Sequence, residues 1–153
     1  GHAQAAALPP ALLAAARQRL ERPTPRVALG LALRGVASSA LDVSDGLLGD
    51  LGHILARSRV GARIELAQLP RSAVLAAQPQ ALQHECLLRG GDDYELLFSA
   101  PPSRRPDVLA AARDADVPVT CIGLVEAGAA LVVVDAAGQP LPVAAGGFDH
   151  FRT

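Results

Sequence analysis

Apolar residues along the chain recur at two spacings, and those spacings divide it into elements. Residues 5–21 (AAALPPALLAAARQRLE) read as a helix rich in Ala and Leu, with Pro9 and Pro10 tolerable only in its first turn. Arg22-Pro23-Thr24-Pro25 stops it, and a short helical stretch from Val27 to Arg34 leads into a small-residue connection at Gly35. Ser39 to Val43 is a short apolar run suited to a buried strand. Leu47, Leu48, Leu51, Ile54 and Leu55 then recur at helical spacing, with Ser44 or Asp45 placed to cap the helix and Arg57 and Arg59 near its negative pole. Gly61 is expected to close this helix, and Ala62 to Leu66 alternates as a strand does.

Residues 69–83 are interrupted by prolines and predict helix in pieces. Tyr94 to Ser99 reads as a strand ended by Pro101-Pro102, and Asp107 to Asp114, preceded by Ser103, as an amphipathic helix. Val119 to Val125 and Ala130 to Val134 are β-rich runs separated by Gly128, which predicts a hairpin. The tail from Ala144 to Phe151 has no period and reads as a loop. Helices and strands are interleaved without the regular spacing of a doubly wound sheet. The expected class is therefore α+β, a mixed sheet flanked by helices in one domain.

Composition narrows the chemistry. The chain has 153 residues, half of them apolar, which is enough for a core. Fourteen basic residues face fifteen acidic ones, so the charge footprint of a nucleic-acid or anionic-membrane binder is missing. Every basic residue is Arg. Without Lys, a Walker P-loop, a Schiff base and a lysine general base are excluded, and without Asn no kinase-type Asp/Asn metal pair can form. Cys86 and Cys121 have no metal-ligand spacing and are expected as free thiols in a reducing cytoplasm. No window of eighteen uninterrupted apolar residues predicts a membrane span. Gly1-His2 reads as a scar of tag removal, leaving residues 3–153 as one domain of a larger protein.

Three segments carry candidate chemistry. Leu41-Asp-Val-Ser-Asp-Gly-Leu-Leu-Gly-Asp50 holds three acids where a strand meets a helix. Asp42 and Ser44 share a face by the period of two, Asp45 and Gly46 form the turn, and Asp50 is expected to face solvent. Two carboxylates and a hydroxyl make a hard oxygen patch of the type Mg²⁺ accepts alongside substrate phosphates. Helix capping by Ser44 or Asp45, with Asp42 as a solvated turn residue, accounts for the same residues. Arg89-Gly-Gly-Asp-Asp-Tyr-Glu-Leu-Leu-Phe98 sets adjacent carboxylates after two glycines, an arrangement that calls for a nearby cation or donors unless it is a solvated turn. Glu95 is either on a wet face or paired with an Arg. In Gly146-Gly-Phe-Asp-His-Phe151 the two phenylalanines either plug a core or contact a planar ligand ring. His53, His84 and His150 share no metal-like spacing.

Taken in order, Asp-Val-Ser-Asp-Gly-Leu at 42–47, Gly-Gly-Asp-Asp-Tyr-Glu-Leu at 90–96 and Gly-Gly-Phe-Asp-His-Phe at 146–151 resemble the C-terminal half of bacterial thiamine-monophosphate kinases. The lead-in Arg22-Pro-Thr-Pro-Arg26 is similar as well. One such motif is weak; the ordered set is specific. The resemblance implies the C-terminal domain fold of the aminoimidazole-ribonucleotide-synthetase superfamily, related in part to ferredoxin-like topology. It also implies transfer of the ATP γ-phosphoryl group to thiamine monophosphate, giving thiamine diphosphate. By the same resemblance Asp42 and Asp45 are Mg²⁺ ligands, Ser44 contacts ATP, and one of Asp92 and Asp93, together with Phe148, contacts the substrate. Further ligands and the dimer contacts belong in that family to an N-terminal domain, so the chain alone is expected to be inactive. Alternatives are another ATP-cleaving superfamily member, of the selenophosphate synthetase or hydrogenase-maturation type, and a non-catalytic binding domain. The Gly-Gly-Asp-Asp-Tyr-Glu segment speaks against the former.

Overall fold

The computed structural model of the chain describes residues 9–142. Helix α1 (Pro10–Glu21) starts on Pro10, whose missing N–H costs nothing in a first turn, and ends at Arg22, before Pro23. None of its residues is buried: Leu12, Leu13 and Leu20 stay 40–56% exposed. Helix α2 (Val27–Ala32) buries Leu29 and shows Val27 and Leu31 to solvent. Strand β1 (Ser39–Asp42) leads to α3 (Leu47–Ser58), whose stripe of Leu47, Leu51, Ile54 and Leu55 is buried as its period requires. This helix closes at Arg59, in a left-handed conformation with φ of 56°, and not at Gly61. Gly61 instead opens strand β2 (Gly61–Glu65), where a Cβ would stand 2.5 Å from the Ala130 carbonyl oxygen.

A 3₁₀ turn, Leu66–Gln68, precedes α4 (Ala73–Ala76) and α5 (Gln80–Arg89), the helix in pieces expected there. Strand β3 (Leu96–Ser99), α6 (Arg105–Asp114), β4 (Gly123–Glu126) and β5 (Leu131–Val134) complete the order.

The strands form two ladders. β1 pairs antiparallel with β3, with Ser39 opposite Ser99 and Asp42 opposite Leu96. In the second ladder β2 is central, antiparallel to β4 and parallel to β5. The class is thus α+β with mixed strand pairing and helices packed on it, but the expected β4–β5 hairpin does not form: β2 lies between them. Burial gives the reason. Ala62 and Ile64 on β2 are 3% and 4% exposed, so β2 needs cover that only a central position provides. β4 has Leu124 and Val125 half-exposed and takes an edge.

Two apolar clusters form around β3. Leu97 joins the larger one with Val43, the α3 stripe, Ala62, Ile64, Leu88 and Val133. Leu96 and Phe98 pack on the smaller one with Leu29, Leu33 and Ala111, where α2 meets α6. The period of two thus sends neighbouring β3 residues into different clusters and fixes the β1–β3 ladder between them.

The central place of β2 has a measurable consequence. Ile64→Ala should lower unfolding free energy by roughly 2–4 kcal/mol, the usual cost of truncating a buried aliphatic. Leu124→Ala on the edge should change it by about 0.5 kcal/mol or less. Urea denaturation of the two variants checks both; equal losses would contradict the strand order.

Candidate functional site

The β1–β3 ladder does not stop where the strands stop. Val43 N–H donates to the Glu95 carbonyl at 2.9 Å, Tyr94 N–H to the Val43 carbonyl at 2.8 Å, and Asp92 N–H to the Ser44 carbonyl at 2.9 Å. These bonds draw the Asp42–Gly46 loop and the Gly90–Glu95 loop together. Two glycines permit the approach. At Gly46, with φ of 106°, a Cβ would lie 2.7 Å from the Arg89 carbonyl oxygen; at Gly91 it would lie 2.4 Å from that of Ser44. Asp92 and Tyr94 take left-handed φ values of 63° and 52°, at a cost on the order of 1 kcal/mol each. That is why β3 begins at Leu96 rather than at Tyr94.

Four of the acids singled out in the sequence come to this edge. Asp42 is exposed at the end of β1, Asp45 is exposed on the turn, and Ser44 between them is half-buried. Asp92 accepts the Tyr94 hydroxyl at 3.0 Å through Oδ1. That hydrogen bond and the Asp92 charge push the Tyr94 phenol above its ordinary range, and the charges of Asp42 and Asp45 add to the effect. The phenol thus senses carboxylates from both loops. Asp93 is an exposed residue, yet partial desolvation of its carboxyl, then repulsion from Glu95 and Asp92, pushes it up, with Arg19 pulling the other way. Phe148 lies outside the described residues, as does the rest of its motif.

Three residues behave differently from the sequence reading. Neither Ser44 nor Asp45 caps α3: the cap position is Gly46, and no side chain bonds there. The capping oxygen comes from inside the helix. Asp50, expected in solvent, is 5% exposed, and its Oδ2 accepts the Ser44 N–H at 3.0 Å and the Asp45 N–H at 3.1 Å. The signal available in the sequence was an acid in the first helical turn behind a glycine that cannot cap. Glu95 is paired. Its carboxylate accepts Arg19 Nη2 at 2.6 Å and Arg26 Nε and Nη2 at 2.8 and 2.7 Å, and Arg19 Nη2 also reaches the Asp93 carbonyl at 3.0 Å. The Arg-Pro-Thr-Pro-Arg segment therefore ends in a clamp on the acidic loop, and α1 is held to it by Arg19.

Chemically, the edge offers carboxylate oxygens and a hydroxyl, a donor set that suits a hard cation such as Mg²⁺. Among the described residues no three His, Cys, Asp or Glu side chains converge tightly enough to hold a metal ion. The fit is thus to a cage whose remaining ligands come from phosphates or from outside these residues.

Comparison with known proteins bears on this edge. Residues 8–136 match the family described as AIR synthase related protein, C-terminal domain. The thiamine-monophosphate kinase of Haemophilus influenzae is 41% identical over 140 residues, which is 89% of this chain and 43% of that protein. The chain therefore spans less than half the length of the curated relatives it matches. The solved thiamine-monophosphate kinase of Stenotrophomonas maltophilia K279a is 46% identical with a TM-score of 0.77, over 84% of this chain and 41% of that one. The complex of AaThiL with AMPPCP and TMP is 32% identical with a TM-score of 0.72, over 95% and 43% of the two chains. The hydrogenase-maturation protein HypE of E. coli has a TM-score of 0.64 at 17% identity, over 88% of this chain and 45% of that one, a likeness of fold alone.

The clamp and its neighbour should separate on a pH scale. The hydrogen bond from Arg26, with Arg19 assisting, holds Glu95 below the usual glutamate range. Its stabilisation is present above the unfolded-state pKa and is lost as pH falls through the lower folded value. Glu95→Gln should lower Tm by roughly 4 °C at pH 7, for about 1 kcal/mol of half-exposed pairing, and the gap should close in acid below the glutamate range. Asp93 has the opposite sign: its raised pKa favours the folded state below the unfolded value, an advantage lost as pH rises. Asp93→Asn should raise Tm at pH 7 by roughly 1–2 °C and do nothing at pH below the aspartate range. Thermal melts from pH 3 to 8 check both; parallel curves would contradict the assignments.

Proposed function

This chain belongs to the AIR synthase related protein C-terminal domain family, and on that premise we propose that it forms the C-terminal part of a thiamine-monophosphate kinase. The reaction is transfer of the ATP γ-phosphoryl group to the phosphate of thiamine monophosphate. What supports this reading most is the joining of the two acidic loops at one edge by backbone bonds between Val43 and Ser44 on one side and Asp92, Tyr94 and Glu95 on the other. Phosphoryl transfer needs positioning and charge neutralisation more than a nucleophilic side chain.

In this reading Asp42 and Asp45 hold Mg²⁺, which on binding screens the charge of the phosphates. Ser44 offers its hydroxyl to ATP. One of Asp92, tied to Tyr94, and Asp93 contacts the acceptor, and Phe148 is a further substrate contact. Asp93 suits a cationic thiazolium ring, since a positive charge would relieve the cost of ionising its carboxyl. With no Lys in the chain, the protein's own positive charges are arginines. An N-terminal half supplies the remaining metal ligands and the homodimer contact, and covers apolar side chains such as Leu13, Leu20 and Leu31 that α1 and α2 leave exposed. Residues 3–153 act as the C-terminal domain in this reading. The location is cytoplasmic; among the described residues no helix is long and apolar enough to cross a membrane.

Activity assays divide this reading from a structural role for the cluster. In the full-length enzyme Asp42→Asn or Asp45→Asn should cut turnover of thiamine monophosphate by at least about 100-fold with Tm unchanged, because an amide keeps size but not the charge that holds Mg²⁺. Near-normal turnover at saturating Mg²⁺ would return these residues to a purely structural role. The 153-residue chain alone should give no measurable turnover; activity from it would contradict a composite site.

A further inference from the structure

We infer that Asp50 is a positioning residue that sets the two acidic loops in register through a single peptide plane. The inference rests on the reading above for its link to Mg²⁺, but its geometry stands apart from it. Asp50 is the buried charged residue among the described ones, at 5% exposure. A carboxylate in that setting is costly unless hydrogen bonds hold it, and here the donors are the amides of Ser44 and Asp45 at the positive end of α3.

The peptide unit between Ser44 and Asp45 is therefore bonded on both edges. Its N–H, on Asp45, points to Asp50; its C=O, on Ser44, points the opposite way, as a trans peptide requires, and accepts the Asp92 N–H at 2.9 Å. Rotation of that plane would break both bonds together. A side-chain cap on residue 46 could not substitute, because the Arg89 carbonyl leaves no room for a Cβ there. Asp50 thus acts on Asp45 and on Asp92 at once, with its own Oδ2 taken up by the two loop amides.

Hydrogen exchange on the chain, read by NMR, tests this. Asp50→Asn keeps an acceptor oxygen and the side-chain size but loses the charge. It should speed exchange of the Ser44, Asp45 and Asp92 amides by about tenfold and leave Ile64 in β2 unchanged. Mg²⁺ titration followed at the Asp42 and Asp45 amides should weaken by about tenfold, and Asp50→Ala should go further in both readouts. Should the Ala variant fail to fold, the Asn variant carries the test alone. Unchanged protection at Asp92, or an equal rise at Ile64, would overturn the inference and leave Asp50 an ordinary helix cap. An absence of Mg²⁺ binding by the full-length enzyme would instead count against the proposed function, while the exchange result on the chain still decides the role of Asp50.

Discussion

Three backbone hydrogen bonds beyond the ends of β1 and β3, from Val43, Tyr94 and Asp92, hold together everything at the candidate site. They require the main chain of two loops to pass within van der Waals contact, which only glycine at 46 and 91 allows. They also require Asp92 and Tyr94 to stay in a left-handed conformation that residues with a Cβ adopt at a cost. Such a loop holds its shape only if its surroundings over-determine it. The surroundings here are the Glu95 clamp at one end, the Asp50 carboxylate at the other, and the β1–β3 ladder seated between two apolar clusters.

The electrostatic pattern follows from the same geometry. Joining the loops brings like charges together: Asp42 and Asp45 add to the rise of the Tyr94 phenol that its hydrogen bond to Asp92 begins, while Asp93 is raised by desolvation and by the charges of its own loop. Glu95 escapes that cost by taking two arginines. The carboxylates of Asp42 and Asp92 have no such ion pair among the described residues. An edge built this way is stabilised by whatever positive charge arrives, which is the property a site for metal-bound phosphates needs.

How much of this was legible in the sequence varied with the range of the interactions involved. The α3 stripe was readable from Leu47, Leu51, Ile54 and Leu55, because a helix buries one face by its own period. The two acidic motifs were readable as unusual local chemistry, and their order together with the Gly-Gly-Phe-Asp-His-Phe motif at 146–151 carried the family resemblance. The β4–β5 pairing was misread because adjacency along the chain favours a hairpin, whereas burial of Ala62 and Ile64 inserts a strand from far upstream. Asp50 was misread for a related reason: an acid in an amphipathic helix counts as polar, and only the backbone of the preceding loop reveals why it is buried. For Glu95 the sequence allows a wet face or an Arg partner, and Arg19 and Arg26 lie too far off along the chain for spacing to choose between them.

The central claim is that two loops distant in sequence form one cation-accepting edge. Paramagnetic relaxation by Mn²⁺, added to the isotope-labelled chain in place of Mg²⁺, tests it most directly, since broadening falls off steeply with distance from the ion. The account predicts that the amides of Asp42 and Asp45 and those of Asp92 and Asp93 broaden together, at the same Mn²⁺ concentration. Broadening confined to one loop, or centred on acids elsewhere such as Asp107 and Asp114 of α6, would contradict it.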